Sequence, residues 1–197
     1  MHSTSSGTAQ LTLGQLGEAL VAEWLEAQGV KILHRRWHCR WGELDLVALL
    51  PEALPCKALA SATQPTGSPL VLAFIEVKTR SRDNWDEGGL LAITPSKQRK
   101  IWHSARLYLA QYPRFANFPC RCDVALVGSQ RLKKEIAKKE TGKQEITKKK
   151  TALSLAVQDH EPQQENPKRP PTLGQPIQRG DYRLTLQHYL ADAFQLD

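Results

Sequence analysis

The sequence predicts an α/β domain interrupted by two insertions, and three observations predict it. Two helix-start signals, Thr12-Leu13-Gly14-Gln15 and Thr94-Pro95, precede apolar residues at helical spacing. Five segments read as strands, and LVLAFIEVKT at 70–79 is apolar nearly throughout, as a central strand covered on both faces would be. The order helix, strand, strand, strand, helix, strand, C-terminal element supplies helices to cover one sheet.

Residues 1–11 are polar and Ser/Thr-rich and read as a frayed tail. Helix one is expected over 13–28, with Thr12 as N-cap, Gln15 reaching back to it, Leu16, Leu20, Trp24 and Ala27 on one face, and Gly29 as the stop. Residues 30–33 read as a short strand and 34–41 as a basic, aromatic connection. A second strand at 43–50 stops at Pro51. Residues 51–69, with Pro51, Pro55, Pro65, Gly67 and Pro69, form the first insertion, a long loop. After the strand at 70–79 and a loop at 80–93, the helix opened by Thr94-Pro95 carries Ile101, Ala105, Tyr108 and Leu109 on one face and ends at Pro113. Residues 120–127 are the fourth strand. The second insertion, 128–180, is low in complexity: 133–142 and 143–152 match at six of ten positions. Residues 184–189 read as a strand, and 190–194 as a candidate helical turn.

The chain has 197 residues, 27 Lys+Arg and 20 Asp+Glu, for a formal charge of +7. That charge would suggest nucleic acid, but residues 131–150 hold nine basic and three acidic residues, which leaves only +1 for the rest. The excess therefore argues for a basic insertion rather than a basic core. No run of about 18 apolar residues exists to span a membrane. The start, MHSTSSGTAQ, has no basic segment leading an apolar run, so the expected location is the cytoplasm. Cys39, Cys56, Cys120 and Cys122 lack zinc-knuckle or redox spacing and read as reduced thiols.

Two strands carry the chemistry. Glu76 and Lys78 are two apart on one strand and leave the same face; Glu43 and Asp45 have the same relation on its neighbour. A Glu and a Lys on an apolar strand are costly to bury unless paired or solvated in a cleft. With Asp45 across the gap, two carboxylates offer oxygen ligands to Mg²⁺. A lysine beside them can orient or deprotonate water and offset charge on a phosphate. The competing reading is a structural Glu–Lys pair on an edge strand.

The pattern D…ExK on adjacent strands behind an N-terminal helix resembles the PD-(D/E)xK nuclease superfamily. That likeness implies the restriction-endonuclease-like fold, a mixed β-sheet flanked by helices. More closely, GELDLVA, FIEVKTR, PSKQRKI, CRCDVALV and LQHYLADAF, in that order, resemble the YraN-like family of uncharacterised bacterial proteins. The likeness spans most of the core, roughly 114 residues once the tail and insertions are set aside.

It implies that Asp45 and Glu76 hold a metal, with Lys78 as the catalytic lysine. Glu18 would complete the metal site from helix one, and Gln98 would be accessory; Glu43, from its place on the strand with Asp45, reads as a further accessory residue or a solvated strand end. The implied cofactor is Mg²⁺ or Mn²⁺, the implied partner nucleic acid, DNA first, and a homodimer is one option for assembly. Two departures stand out: no Pro precedes Asp45, and the 51–69 insertion lies between the metal-bearing strands, projecting from their hairpin or covering the site.

Arg35, Arg36, Trp37, Arg40 and Trp41 suit phosphate tracking and base stacking, or aromatic packing with solvated arginines. Lys97, Arg99, Lys100 and Arg106 make the second helix basic, and Thr79 and Arg80 follow the lysine closely enough to touch a scissile phosphate. Three functional readings follow: a metal-dependent nuclease, with branched or single-stranded DNA as one substrate option; a catalytically weak binding module of recombination or repair; and a nucleic-acid tether formed by the Lys-rich insertion.

Overall fold

Thr12 opens the first helix as predicted. In the computed structural model, which describes residues 11–52, 69–81, 93–132 and 170–195, its hydroxyl accepts the Gln15 N–H while the Gln15 side chain accepts the Thr12 N–H at 2.8 Å. That box starts α1 (Leu13–Glu26), and Gly29, at φ 78, turns the chain into the sheet. The strands are β1 (Lys31–Cys39), β2 (Gly42–Pro51), β3 (Leu70–Ser81), β4 (Cys120–Arg131), β5 (Pro176–Arg179) and β6 (Tyr182–Phe194). The second helix, α2 (Pro95–Gln111), crosses from β3 to β4, starting on a Thr94 hydroxyl cap with Pro95 at its first turn.

The six strands form one mixed sheet in the order β1-β2-β3-β4-β6-β5. Only β3 and β4 are parallel; the other four pairings are antiparallel. With two helices on a mixed sheet, this is the α/β architecture expected, and it is consistent with a restriction-endonuclease-like fold.

β3 is central and covered on both faces. Val71, Ala73, Ile75 and Val77 face Leu20, Val21, Trp24 and Leu25 of α1. Leu72 and Phe74 face Ile101, Ala105 and Tyr108 of α2. Each fully buried Leu or Phe here contributes about 1.5–3 kcal/mol relative to exposure, so two opposed apolar layers hold the β3 register.

Three expectations are corrected. The stretch 34–41 is not a connection: residues 34–39 belong to β1, and only 40–41 form the turn to β2. Arg36 sits at φ 50 within that strand, and this break in the alternation hides the strand from a period-two reading. Residues 190–194 are strand, not helix, because β6 keeps pairing with β4 as far as Phe194. Order also reaches into 128–180 from both sides, since β4 extends to Arg131 and β5 pairs with β6.

Residues 1–10, 53–68 with Cys56, 82–92, the Lys-rich 133–169 and 196–197 lie outside the described residues, and with them the expected tail, most of both loops and most of the second insertion. Cys39, Cys120 and Cys122 are free thiols. Among the described residues, no helix is long and apolar enough to cross a membrane.

Candidate active site

The β2–β3 ladder runs from Pro51↔Leu70 to Leu46↔Ile75 and stops there. One step further Asp45 stands beside Glu76, but in place of a backbone pair its Oδ2 accepts the Val77 N–H at 2.7 Å. Side-chain alternation slips at the same point, with Leu46 packed on the α1 side and both Leu44 and Val47 on the α2 side. The strand hydrogen bonding that would leave Asp45 on a regular face is thus replaced by its own carboxylate. The residue is only 6 % exposed.

Glu76, 4 % exposed, follows the parity of Leu72 and Phe74 toward α2. Its Oε1 accepts from Lys78 Nζ at 2.6 Å and its Oε2 lies 2.9 Å from Lys97 Nζ. The pairing of Glu76 and Lys78 on one face is as the spacing predicts. Lys97, expected to contact a nucleic-acid backbone, lies in the first turn of α2 with its ammonium on the buried Glu76 carboxylate. A cation in a helix's first turn opposes the dipole, and that mismatch is the sequence signal that could have found it.

Glu18 reaches the site because Gly17 lets α1 lie on β3. A Cβ at Gly17 would overlap the Thr79 hydroxyl and come within 3.2 Å of the Thr79 Cβ. Glu18 Oε2 lies 3.6 Å from Arg36 Nε, and Arg36 Nη2 donates to Glu43 Oε2 at 3.2 Å. His38 Nε2 lies 2.9 Å from the same Glu43 oxygen. Arg36, expected to track phosphates, is part exposed and paired with two carboxylates, and its Nε is buried without a hydrogen-bond partner among the described residues.

Burial, then the neighbouring Glu76 charge, pushes the Asp45 carboxyl up to about 7, against the opposing Val77 hydrogen bond and Lys97. Burial also raises Glu18; Arg36 opposes this, while Glu43 and Glu76 add to it. Burial alone would lower Lys97, but Glu76, Asp45 and Glu43 together hold it above its ordinary value. Burial, reinforced by the neighbouring carboxylates, thus holds both Asp45 and Glu18 above the ordinary carboxylate range.

That donor set fits a small divalent cation. Mg²⁺ keeps several waters and takes one or two protein carboxylates, and Asp45 and Glu76 are two buried ones from adjacent strands. Among the described residues, no three His, Cys, Asp or Glu side chains gather into a ready metal cage, so Glu18 stands near the pair without forming one with it.

The other predicted residues scatter. Gln98 donates through Nε2 to the Ile93 carbonyl at 3.2 Å and so secures the start of α2. Arg35 pairs with Glu26 at 2.8 Å on the surface. The Thr79 hydroxyl is buried beneath Gly17, and the Arg80 carbonyl accepts from Ser129 at 3.0 Å. Lys100 is exposed, as are Arg40 and Trp41 at the β1–β2 turn. Glu52 N–H bonds the Pro69 carbonyl at 3.0 Å, closing the described end of the β2–β3 hairpin. That closure is about 20 Å along β2 from Asp45 at strand spacing. Cavities of about 130 Å³ beside Gly128 and Gln187, and about 350 Å³ beside Ile32 and Phe115, lie away from these carboxylates.

Residues 17–127 match the model of the uncharacterised protein family UPF0102. A UPF0102 protein of Trichodesmium erythraeum is 39% identical over 188 residues, covering 94% of this chain and 89% of that one. A UPF0102 protein of Synechocystis is 40% identical over 182 residues, covering 92% and 97%. One from Acaryochloris marina is 50% identical over 117 residues, covering 59% and 63%. The family match takes in Glu18, Glu43, Asp45, Glu76, Lys78 and Lys97, and ends before β5 and β6.

Proposed function

The chain belongs to the uncharacterised family UPF0102, the YraN-like proteins, and from its site we propose a divalent-cation-dependent nuclease of the PD-(D/E)xK superfamily. The observation that carries this reading is Glu76, buried beside Asp45 and gripped by Lys78 at 2.6 Å and Lys97 at 2.9 Å. A purely structural pair would be satisfied by one lysine; two lysines beside a second carboxylate with a raised pKa fit a site built to handle a phosphate and a cation together.

Asp45 and Glu76 would hold Mg²⁺ or Mn²⁺, which when bound supplies Lewis-acid polarisation of the phosphodiester and of a water. The chain's own residues do the remaining work. Asp45, anchored by the Val77 N–H, is fixed in position and must be ionised to serve as a ligand. Lys78 Nζ, partly exposed, orients the attacking water and offsets charge developing on the phosphate. Lys97 holds the second Glu76 oxygen and lends positive charge on the α2 side. Glu18 and Glu43 position Arg36 at the rim.

The test is a cleavage panel of branched, single-stranded and duplex DNA and RNA with Mg²⁺ or Mn²⁺. Cleavage that disappears in both Asp45→Ala and Lys78→Ala supports the proposal. Cleavage surviving both substitutions refutes it.

Engagement of both Glu76 oxygens by ammonium groups favours a second reading, a nucleic-acid-binding module of recombination or repair with weak or no chemistry. It would bind with a steep salt dependence, fail to cleave, and lose little when Asp45 is replaced.

A further inference from the structure

Where the β1–β2 turn meets α2 lies a row of cations and rings, part exposed and part half-buried, that the hydrolytic chemistry does not use. Trp41 occupies the β1–β2 turn at 40 % exposure and is the one aromatic among the exposed large apolar side chains described. Its ring stacks on His103 of α2, with centroids 4.4 Å apart and planes 20° apart. His103 meets Trp102 edge-on at 4.8 Å. The Arg40 guanidinium lies 5.6 Å from the Trp41 centroid and that of Arg106 lies 4.6 Å from Trp102. A single exposed apolar ring is ordinary on a protein surface; what distinguishes Trp41 is that the His103 stack holds its plane in one orientation, with two guanidiniums close by.

We propose that the Trp41–His103 stack is a docking platform for an unpaired nucleobase, so that the substrate is single-stranded or locally unpaired nucleic acid. This rests on the nucleic-acid reading above and narrows it. A flat, exposed ring can stack on a base only after that base has left its duplex. Arg40, over the Trp41 ring, and Arg106, over the Trp102 ring, are the cations that would meet the phosphates of a strand bound there, without base preference. Trp41 precedes Asp45 by four residues, about 13 Å along an extended strand, so one bound strand can touch both platform and carboxylates.

The test measures binding by fluorescence anisotropy in EDTA, which keeps the nucleic acid intact. The probes are a short labelled oligothymidylate and a blunt duplex of the same length. Trp41→Ala should weaken oligothymidylate binding about tenfold and leave duplex binding within about twofold. It should not change the salt slope, because no charge is removed. Trp41→Phe, which keeps a flat ring, should recover most of the loss, and His103→Ala should reproduce part of it. An unchanged melting temperature for each variant excludes misfolding.

No loss in Trp41→Ala, equal loss on both probes, or a changed salt slope overturns the platform. If cleavage persists while Trp41→Ala binds oligothymidylate normally, the platform alone fails. If oligothymidylate binding depends on Trp41 but no substrate is cleaved, the nuclease reading alone fails.

Discussion

Gly17 of α1 lies so close to Thr79 of β3 that no side chain fits between them. In an exposed helix, Gly→Ala would gain up to about 1 kcal/mol. Here the added methyl would overlap the Thr79 hydroxyl and approach its Cβ to 3.2 Å, and overpacking of this kind costs about 1–3 kcal/mol. Gly17→Ala should therefore lower stability in a urea titration. Because Glu18 follows directly, it should also reduce cleavage. Adding Thr79→Ser, which removes the methyl but not the overlapping hydroxyl, should restore little; Thr79→Ala should restore more.

Asp45 makes stability fall as pH rises. Its folded pKa, about 7, exceeds the ordinary 3.8, so between those values the folded protein holds more of this proton than the unfolded chain does. The sign of the linkage is then fixed: the contribution is fully present below the unfolded value and is lost as pH climbs to about 7. Asp45→Asn keeps an oxygen acceptor for the Val77 N–H and carries no charge. In EDTA it should melt higher than the natural protein at pH 8, by an amount equivalent to at most about 4 kcal/mol. The gap should close near pH 4. Added Mg²⁺ should narrow it at pH 8, by stabilising only the chain that retains the carboxylate.

How much of this site was legible differs residue by residue. Glu76 and Lys78 follow from strand parity alone, and their 2.6 Å contact is where that parity puts it. Thr12 and Gln15 likewise announce α1, because a capping box is local. Lys97 reaches Glu76 only through the α2 crossover, a long-range placement that no spacing encodes. β1 was obscured by Arg36, whose φ of 50 breaks the alternation. The end of β6 was obscured because LADAF favours helix locally, while pairing with β4 overrides that preference.

On the proposed nuclease reading, Lys97 should also set the operating pH of the carboxylate pair. It is among the groups that hold the Asp45 pKa down. Lys97→Met keeps much of the aliphatic stem and removes the ammonium. The Asp45 carboxyl should then titrate above its present value near 7, moving the acid limb of the pH–rate profile to higher pH. Lys78→Ala should abolish cleavage at every pH. Rate profiles from about pH 5 to 9 separate these outcomes, and an unshifted limb in Lys97→Met would refute the role assigned to Lys97.

The largest stability loss should come from a second carboxylate, on the other face of the sheet. Asp123 of β4 is fully buried. Arg121 Nε lies 3.0 Å from its Oδ1, Arg121 Nη2 donates to its Oδ2 at 3.1 Å, and the Tyr189 hydroxyl donates to the same Oδ2 at 2.7 Å. Oδ1 also accepts the N–H of Asp192, at φ 48, where the β4–β6 register shifts, so this carboxylate fills a gap in the ladder much as Asp45 does. Arg121 Nη1 reaches the Glu52 carbonyl at 2.7 Å and ties in the β2–β3 connection.

Burial already raises the Asp123 pKa, and Arg121 is the strongest group opposing that rise. Arg121→Met leaves a buried charge without its cation, a change that costs about 3–5 kcal/mol. The loss should be greatest at neutral pH and shrink in acid, since Asp123 protonates at higher pH once the guanidinium is gone. Asp123→Asn added to Arg121→Met should recover part of the loss at pH 7, because the amide oxygen still accepts from Tyr189 or Asp192 while the uncompensated charge is absent. Urea titrations of both variants at pH 5 and 7 check this, and equal losses at the two pH values would show that Arg121 acts through packing rather than charge.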